Sequence, residues 1–145
     1  WFRQLVPLIV LDTNVISELV KPKPNHGVID WIDNADESSL YLSVITLGEI
    51  RKGIASRDDL TRKARIESWF RALVDRFADR LLPIGADIAE RWGRLAGDFR
   101  RRGISVPVID GLLAATALQH DLTFVTRNIK DVRATGVESL DPWIS

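Results

Sequence analysis

Short unbroken apolar runs, separated by helical segments, constrain the fold of this chain more than any other feature. The first run, residues 8–11, ends at Asp12-Thr13-Asn14, which are residue types that begin a helix. Further strands are expected at residues 40–44, 81–84, 123–126 and 137–140. The principal runs do not alternate apolar with polar residues, as is typical of strands covered on both faces. The predicted fold is an α/β three-layer sandwich, in which helices flank a short parallel sheet of four to five strands.

Helices are indicated between these strands by capping residues and by apolar residues at helical spacing. They are expected at about residues 13–22, 25–35, 46–56, 59–80, 88–102 and 107–120. Thr46 and Glu49 have the spacing of a capping box, and Pro107 is placed as the first residue of its helix. Pro83 argues against a central position for the strand at 81–84. No linker interrupts the pattern, so residues 1–145 are predicted to form a single domain.

The composition limits the kind of site and the kind of partner. The chain of 145 residues has no cysteine, which excludes a disulfide, a thiolate nucleophile and a Cys-ligated metal. Its 20 Lys and Arg balance 20 Asp and Glu, so a polyanion would have to be held locally. No apolar run approaches the roughly 18 residues that span a bilayer, and no secretory signal is present, which predicts a cytoplasmic protein without a membrane partner. Because the chain has no methionine, residues 1–4 are interpreted as a processed end or a cloning remnant.

Acidic side chains follow the predicted strands at the sheet edge where ligands bind. Asp12 follows the first strand, Glu49 lies early in the helix after the second, and Asp110 lies in the first turn of the helix that leads into the fourth. Asn128 and Asp131 come after the fourth strand. Open parallel sheets bind ligands beyond the carboxyl ends of their strands, where the strand order reverses. We therefore expect these groups, which come from distant segments, to converge.

Taken singly, most of these residues have simpler roles. Asp12 would be a helix cap, Glu49 a capping-box partner and Asp131 a solvated loop residue. Asp110 differs, because it lies beside the apolar face of a helix, where an unpaired carboxylate is costly or shifts its pKa. Together the acids predict a cation site. Hard oxygen ligands, with no Cys and two His that lack metal-site spacing, favour Mg²⁺ or Mn²⁺ over zinc. Such a site is suited to hydrolysing phosphodiesters with an activated water.

Four motifs in the chain resemble those of a known family. They are LDTN at 11–14, TLGEI at 46–50, IDGLLAATA at 109–117 and FVTRN at 124–128, with Asp131 shortly after. In order and spacing they resemble the PIN-domain ribonucleases, and most closely the VapC- and FitB-like toxins of type II toxin-antitoxin modules. The resemblance extends from about residue 8 to about residue 142. It implies a PIN-like fold and a Mg²⁺-dependent endoribonuclease toxin.

The resemblance also implies roles for individual residues. Asp12 and Asp110 match the usual metal ligands, and Glu49 matches the glutamate that completes the acidic cluster. The family's fourth acid lies in or just after the Thr-Arg-(Asn/Asp) motif, so either Asn128 or Asp131 is expected to complete the site. Residues that orient these ligands through hydrogen bonds are expected at Thr13, Asn14 and Thr126.

RNA would have to be held by cations close to this site. Arg51 follows Glu49 closely and Arg127 adjoins the fourth-strand motif, so these two are expected to bind phosphates. The arginine run at 100–102 fits the end of a helix instead. Apolar stripes on the helices at about 59–80 and 86–102 indicate an interface. For this region the resemblance implies a groove for a cognate antitoxin; it also implies a homodimer and, as a family-level expectation, a transfer RNA substrate.

Two other functions are compatible with parts of the pattern. Aspartate-dependent phosphatases and phospho-accepting receiver domains also place an aspartate after the first strand. However, Asn14 stands where the phosphatase motif needs its second aspartate, and the acid pair and the late Lys-Pro of receiver domains are both missing. The second alternative is an inactive RNA-binding module whose acids no longer work.

Overall fold

Five short strands form the centre of the structure, a computed structural model that describes residues 7–144. They are β1 (Ile9–Leu11), β2 (Leu40–Ser43), β3 (Leu81–Leu82), β4 (Thr123–Val125) and β5 (Ser139–Leu140). All neighbouring strands are parallel, in the order β3-β2-β1-β4-β5. The predicted α/β fold with a parallel sheet is confirmed. The interpretation of residues 1–4 lies outside the described residues, and the single domain over 1–145 stays a prediction.

Helices connect the strands. They are α1 (Thr13–Glu18), α2 (His26–Asn34), α3 (Val44–Ala55), α4 (Leu60–Arg76), α5 (Ala86–Arg101), α6 (Val108–His120) and α7 (Ile129–Val132). The short α7 was not predicted from the sequence. Within residues 7–144, none of these helices has the length and apolar character needed to cross a membrane.

The sheet separates two apolar layers. Leu11 and Val125 pack with α1 to α4 on one face, whereas Val10 and Phe124 pack with α6 and α7 on the other. Neighbouring residues of a strand point to opposite faces, so these unbroken apolar strands are covered on both sides. Helix α5 packs on α6. This arrangement confirms the predicted three-layer sandwich.

The central position of β1 places the candidate site. Ile9 of β1 pairs with Leu40 of β2 on one side and with Thr123 of β4 on the other. The order of the strands along the chain reverses at β1, and open α/β sheets bind ligands in the crevice beyond such a point. Residues directly after β1, β2 and β4 therefore lie around one crevice. β3 is an edge strand, as Pro83 indicated.

Two predicted helix starts are wrong. α3 begins at Val44, and its N-cap is Ser43, whose Oγ accepts a hydrogen bond from the Ile45 backbone N–H at 3.0 Å. β2 therefore passes directly into the helix, and Thr46 and Glu49 do not form a capping box. Similarly, α6 begins at Val108, so Pro107 is its N-cap residue and not its first helical residue.

The helix expected to reach about residue 80 ends earlier, at Arg76, because tertiary contacts hold the chain after it. The Arg80 guanidinium donates to the backbone carbonyl oxygens of Glu37 and Leu40 at 2.6 and 3.0 Å. Hydrogen bonds from Arg76 and Arg80 also lower the pKa of Glu37 to about 2. These contacts hold the end of α4 against the start of β2, an arrangement that helical periodicity does not encode.

The cap of α3 can be tested by Ser43→Ala. Removing the hydroxyl leaves a backbone N–H at the helix start unpaired, and we expect a loss of about 1 kcal/mol in the free energy of unfolding. Ser56→Ala, at the exposed end of the same helix, is the control and should change stability by less than about 0.5 kcal/mol. Urea denaturation followed by circular dichroism measures both. Equal stability of the two variants would contradict the assignment of Ser43 as the cap.

Candidate active site

Asp12 lies at the end of β1, where its carboxylate is held by two different segments. Oδ1 accepts a hydrogen bond from the Thr13 backbone N–H at 2.7 Å, which caps α1. Oδ2 accepts one from the Thr126 hydroxyl at 2.6 Å, which connects β1 to the end of β4. Only 4% of Asp12 is exposed. The residue is therefore both the helix cap that the sequence indicates and a carboxylate with a fixed orientation at the crevice.

Thr126 links this carboxylate to the loop after β4. Its side chain is buried, and its hydroxyl oxygen also accepts a hydrogen bond from the Asn128 backbone N–H at 3.0 Å. A hydroxyl has a single proton, which here points to Asp12. Thr126 therefore orients the carboxylate while it fixes the path of the chain into α7.

Glu49 is connected to Asp12 through Thr13. The Thr13 hydroxyl donates a hydrogen bond to Glu49 Oε1 and lies 3.1 Å from the hydroxyl of Thr46 in a second hydrogen bond. Thr46 is buried, and it supports Thr13 instead of capping α3. Sequence reasoning missed this role. The sequence feature that could have revealed this role is the three-residue spacing of Thr46 and Glu49, which places both on the same helix face.

Asp110 reaches the same sheet edge from the first turn of α6. Its pKa is raised to about 6, first by burial and then by the negative charges of Asp12, Asp131 and Glu49. Burial also raises the pKa of Asp12, to which the charge of Glu49 adds, while the hydrogen bonds that Asp12 accepts oppose the rise. Such effects need short separations between the charges. Asp12, Glu49 and Asp131 are thus near enough to Asp110 for their charges to act on it.

The two candidates for the fourth ligand differ in position. Asp131 lies in the first turn of α7, and its charge contributes to the raised pKa of Asp110. Asn128 is exposed just before α7, and within residues 7–144 its hydrogen bonds involve its backbone and not its side chain. Asp131 is therefore the candidate that adds negative charge to the cluster.

Asn14 does not join the network formed by Thr13 and Thr126. Its Oδ1 atom is buried and has no hydrogen-bond partner within the described part of the chain. A buried acceptor without a partner costs about 1–3 kcal/mol. The predicted orienting role of Asn14 therefore has no contact to support it, and its carbonyl oxygen is available to a proton donor.

The two arginines expected to bind RNA are both engaged with side chains of the protein. Arg51 forms a bidentate ion pair with Glu67 of α4, at 2.5 and 2.8 Å, and its guanidinium carbon lies 4.9 Å from the centre of the Phe70 ring. Arg127 lies over the ring of Trp143 at 5.0 Å but remains exposed, in a cleft beside the start of α7. Arg127 is therefore the better placed of the two for RNA, and both roles stay predictions.

Comparison with known proteins agrees with this geometry. The family model for the PIN domain matches residues 9–136. This chain belongs to the PIN-domain family. The PIN-domain resemblance predicted from the four motifs is therefore confirmed, together with the fold that it implied.

The matches between this PIN domain and its relatives cover nearly the whole length of each relative. Toxin FitB of Neisseria gonorrhoeae is 36% identical over 94% of this chain and 99% of its own. The VapC ribonuclease Y4jK of Sinorhizobium fredii is 35% identical over 94% of this chain and 98% of its own. The crystal structure of FitAcB from Neisseria gonorrhoeae matches with a TM-score of 0.89 at 35% identity, over 94% of this chain and 99% of that one.

The donor chemistry of this PIN domain fits a hard divalent cation. Carboxylate oxygens are the preferred ligands of such ions, and a cation would relieve the repulsion that raises the pKa values of Asp12 and Asp110. Among residues 7–144, no three His, Asp or Glu side chains are close enough, as they stand, to enclose an ion. The residues therefore fit the ion in chemical type, although their present spacing does not enclose it.

The electrostatics of Asp110 predict an unusual pH dependence of stability. Its pKa in the folded protein, about 6, lies above the ordinary value of 3.8. Folding therefore favours the protonated form, and this contribution is lost as the pH rises from about 4 to about 7. In EDTA, Asp110→Asn should melt at a higher temperature than the unchanged protein at about pH 7, because the amide cannot ionise. The difference should shrink at about pH 4.

Thermal melts followed by circular dichroism test this expectation. Asp30→Asn, an exposed position on α2, is the matched control and should have no comparable effect. A lower melting temperature for Asp110→Asn at neutral pH would show that Asp110 is not repelled by its acidic neighbours.

Proposed function

We propose that this chain is a Mg²⁺-dependent endoribonuclease toxin of a type II toxin-antitoxin module, with Mn²⁺ as the alternative ion. The observation that carries the proposal is that Thr13 links Asp12 to Glu49 through hydrogen bonds at the carboxyl edge of the sheet, and that the charges of both acids act on Asp110. The family and the relatives named as a toxin and as a ribonuclease support it.

Each acid would have a defined part in this activity. Asp12, Glu49 and Asp110 would hold the ion, and Asp131 is favoured over Asn128 as the fourth group. When bound, a divalent ion supplies a water of lowered pKa and neutralises charge on the phosphate. Hydrogen bonds within the chain itself orient Asp12 and Glu49.

Hydrogen-bonded threonines support two of these ligands. Thr126 and the Thr13 backbone hold Asp12, while the Thr13 hydroxyl holds Glu49. Such supporting contacts typically affect metal affinity or activity by about 10- to 100-fold. We expect Thr126→Val to lie in this range, with a smaller effect than loss of a ligand.

RNA is the proposed substrate, and single-stranded loops are its accessible form, because splayed bases and bare phosphates can enter an open crevice. Transfer RNA is the finer expectation from the family resemblance. Arg127 is proposed to contact a phosphate on the side of α7, since it is exposed there.

A cognate antitoxin is the proposed protein partner, in line with the solved FitAcB relative. The groove expected on α4 and α5 stays a prediction; in the structure α4 packs on α3 and α5 packs on α6. Helices α5 and α6 border an apolar cleft of their own, lined by Trp92, Leu95 and Phe99 among others. We propose a homodimer as the assembly and the cytoplasm as the place of action.

The other functions are less well supported. Membership of the PIN-domain family favours a nuclease over an aspartate-dependent phosphatase or a receiver domain. An inactive RNA-binding module would have no need for acids whose charges repel one another, as the raised pKa of Asp110 indicates here. The activity test below separates these cases.

Substitution of the acids tests the proposed activity. Asp12→Asn or Asp110→Asn should reduce RNA cleavage by at least about 100-fold, because each removes a negatively charged ligand of the ion. The assay incubates purified protein with total RNA and Mg²⁺ or Mn²⁺, with and without EDTA, and maps the cut ends. Asp30→Asn is the matched control and should keep full activity. Cleavage that persists in Asp12→Asn, in Asp110→Asn or in EDTA would contradict the proposed activity.

The proposed homodimer is tested separately by chromatography with light scattering. At micromolar concentration we expect a mass of twice the 16.3 kDa of one chain. A mass near 16.3 kDa at that concentration would contradict the dimer and leave the proposed nuclease activity untouched.

A further inference from the structure

A groove lies next to the acidic centre, between α3 and the start of α6. Its volume is about 510 Å³, and Glu49 forms part of its wall. The half-buried side chains of Val44, Ile45 and Ile109 form its apolar sides. We call it the α3–α6 groove. Glu49 belongs both to the α3–α6 groove and to the acidic cluster. A polymeric ligand bound at the acidic cluster can therefore extend directly into the groove.

Lys52 supplies the positive charge of the α3–α6 groove. It is exposed and lies three residues after Glu49, on the same face of α3. The ion pairs within residues 7–144 do not include Lys52. Its neighbour Arg51, in contrast, is paired with Glu67 on α4. Lys52 is therefore the cation of α3 that can take an anionic group in the groove.

Two glycines expose the backbone of α3 to the same groove. Gly48 and Gly53 both lie within the helix, where glycine is less favourable than alanine. A Cβ atom added at either position would meet nothing within 4 Å, so packing inside the described chain does not require glycine there. The absence of both side chains widens the groove beside Lys52 and allows close approach of a bound group to the helix.

We propose that the α3–α6 groove binds nucleotides next to the cleaved phosphate of a single-stranded RNA, an inference that rests on the proposed function. Lys52 contacts a backbone phosphate, and a base packs against Ile45 and Ile109 over Gly53. Lysine is a common phosphate ligand, and apolar side chains accept unstacked bases. The unpaired cation and the continuity with Glu49 favour RNA over a second copy of this chain as the occupant.

Binding measurements test the groove independently of catalysis. A fluorescein-labelled single-stranded RNA of about ten nucleotides is titrated with the full chain carrying Asp110→Asn, and the Kd is read from fluorescence anisotropy. If the proposed function is right, the Asp110→Asn substitution prevents cleavage, so the labelled RNA stays intact during the titration. If the chain is not a nuclease, the RNA is intact in any case.

The first variant removes the cation. Lys52→Ala should weaken RNA binding by about fivefold and lower the slope of log Kd against log salt by about 0.7, the value for one phosphate contact with a single strand. Lys23→Ala, an exposed lysine before α2, is the matched control. It should leave both the Kd and the slope unchanged.

The second variant fills the groove. Gly53→Leu should weaken RNA binding by about tenfold with an unchanged salt slope, while it raises the melting temperature, because leucine is the better helix former. Gly93→Leu on α5 is the matched control, since its surroundings are equally open. It should raise the melting temperature without any loss of RNA binding.

Each result decides the proposal. If Lys52→Ala and Gly53→Leu bind RNA as well as their controls, or if no variant binds RNA at all, the groove proposal is overturned, even where the unchanged protein cuts RNA. If both lose binding but the unchanged protein cuts no RNA, the groove stands and the proposed nuclease fails. If they change the mass measured by light scattering and not the Kd, the groove is an interface between two copies and the proposal is overturned.

Discussion

The hydrogen bond from Thr126 to Asp12 joins the carboxyl ends of the two strands between which the site lies. The backbone N–H of Asp12 donates to Val125 at 2.9 Å in the same junction. The other oxygen of the Asp12 carboxylate caps the start of α1. The Thr126 hydroxyl also accepts a hydrogen bond from the Asn128 backbone N–H, just before α7. One buried carboxylate thus sets the direction in which two segments leave the sheet, and it is presented to the crevice in a single orientation.

Charge is distributed unevenly in a chain whose formal net charge is zero. Away from the site, arginines are paired with acids, as Arg76 and Arg80 are with Glu37. At the site, burial and the charges of carboxylates from distant segments raise the pKa of Asp110. The fold thereby keeps a local deficit of positive charge that a divalent cation can fill. Lys52 and Arg127 are exposed cations, and they are the groups through which we propose that a neutral protein attracts RNA locally.

Much of the fold and the main acids could be predicted from sequence because their signals are local. Apolar runs predicted the five strands that the structure describes, and the motifs named the acids whose charges act on one another in it. The errors arose where two local signals competed: Ser43 and Thr46 both suit a helix cap, and only the end of β2 decides between them. The role of Thr46 was missed because its partner, Thr13, is far away in sequence. The RNA-binding role expected of Arg51 stays a prediction, and its ion pair with Glu67 could not be foreseen because it depends on the packing of α4 on α3.

By itself, the sequence determined the alternation of strands and helices, the parallel sheet and the identity of the acids, because each depends on residues near one another along the chain. Only the tertiary structure decided which cations are already paired, that the charge of Asp131 acts on Asp110, and how far the pKa of Asp110 moves. These properties depend on burial and on distances between groups that are far apart in sequence, and electrostatic energy varies with exactly those two quantities.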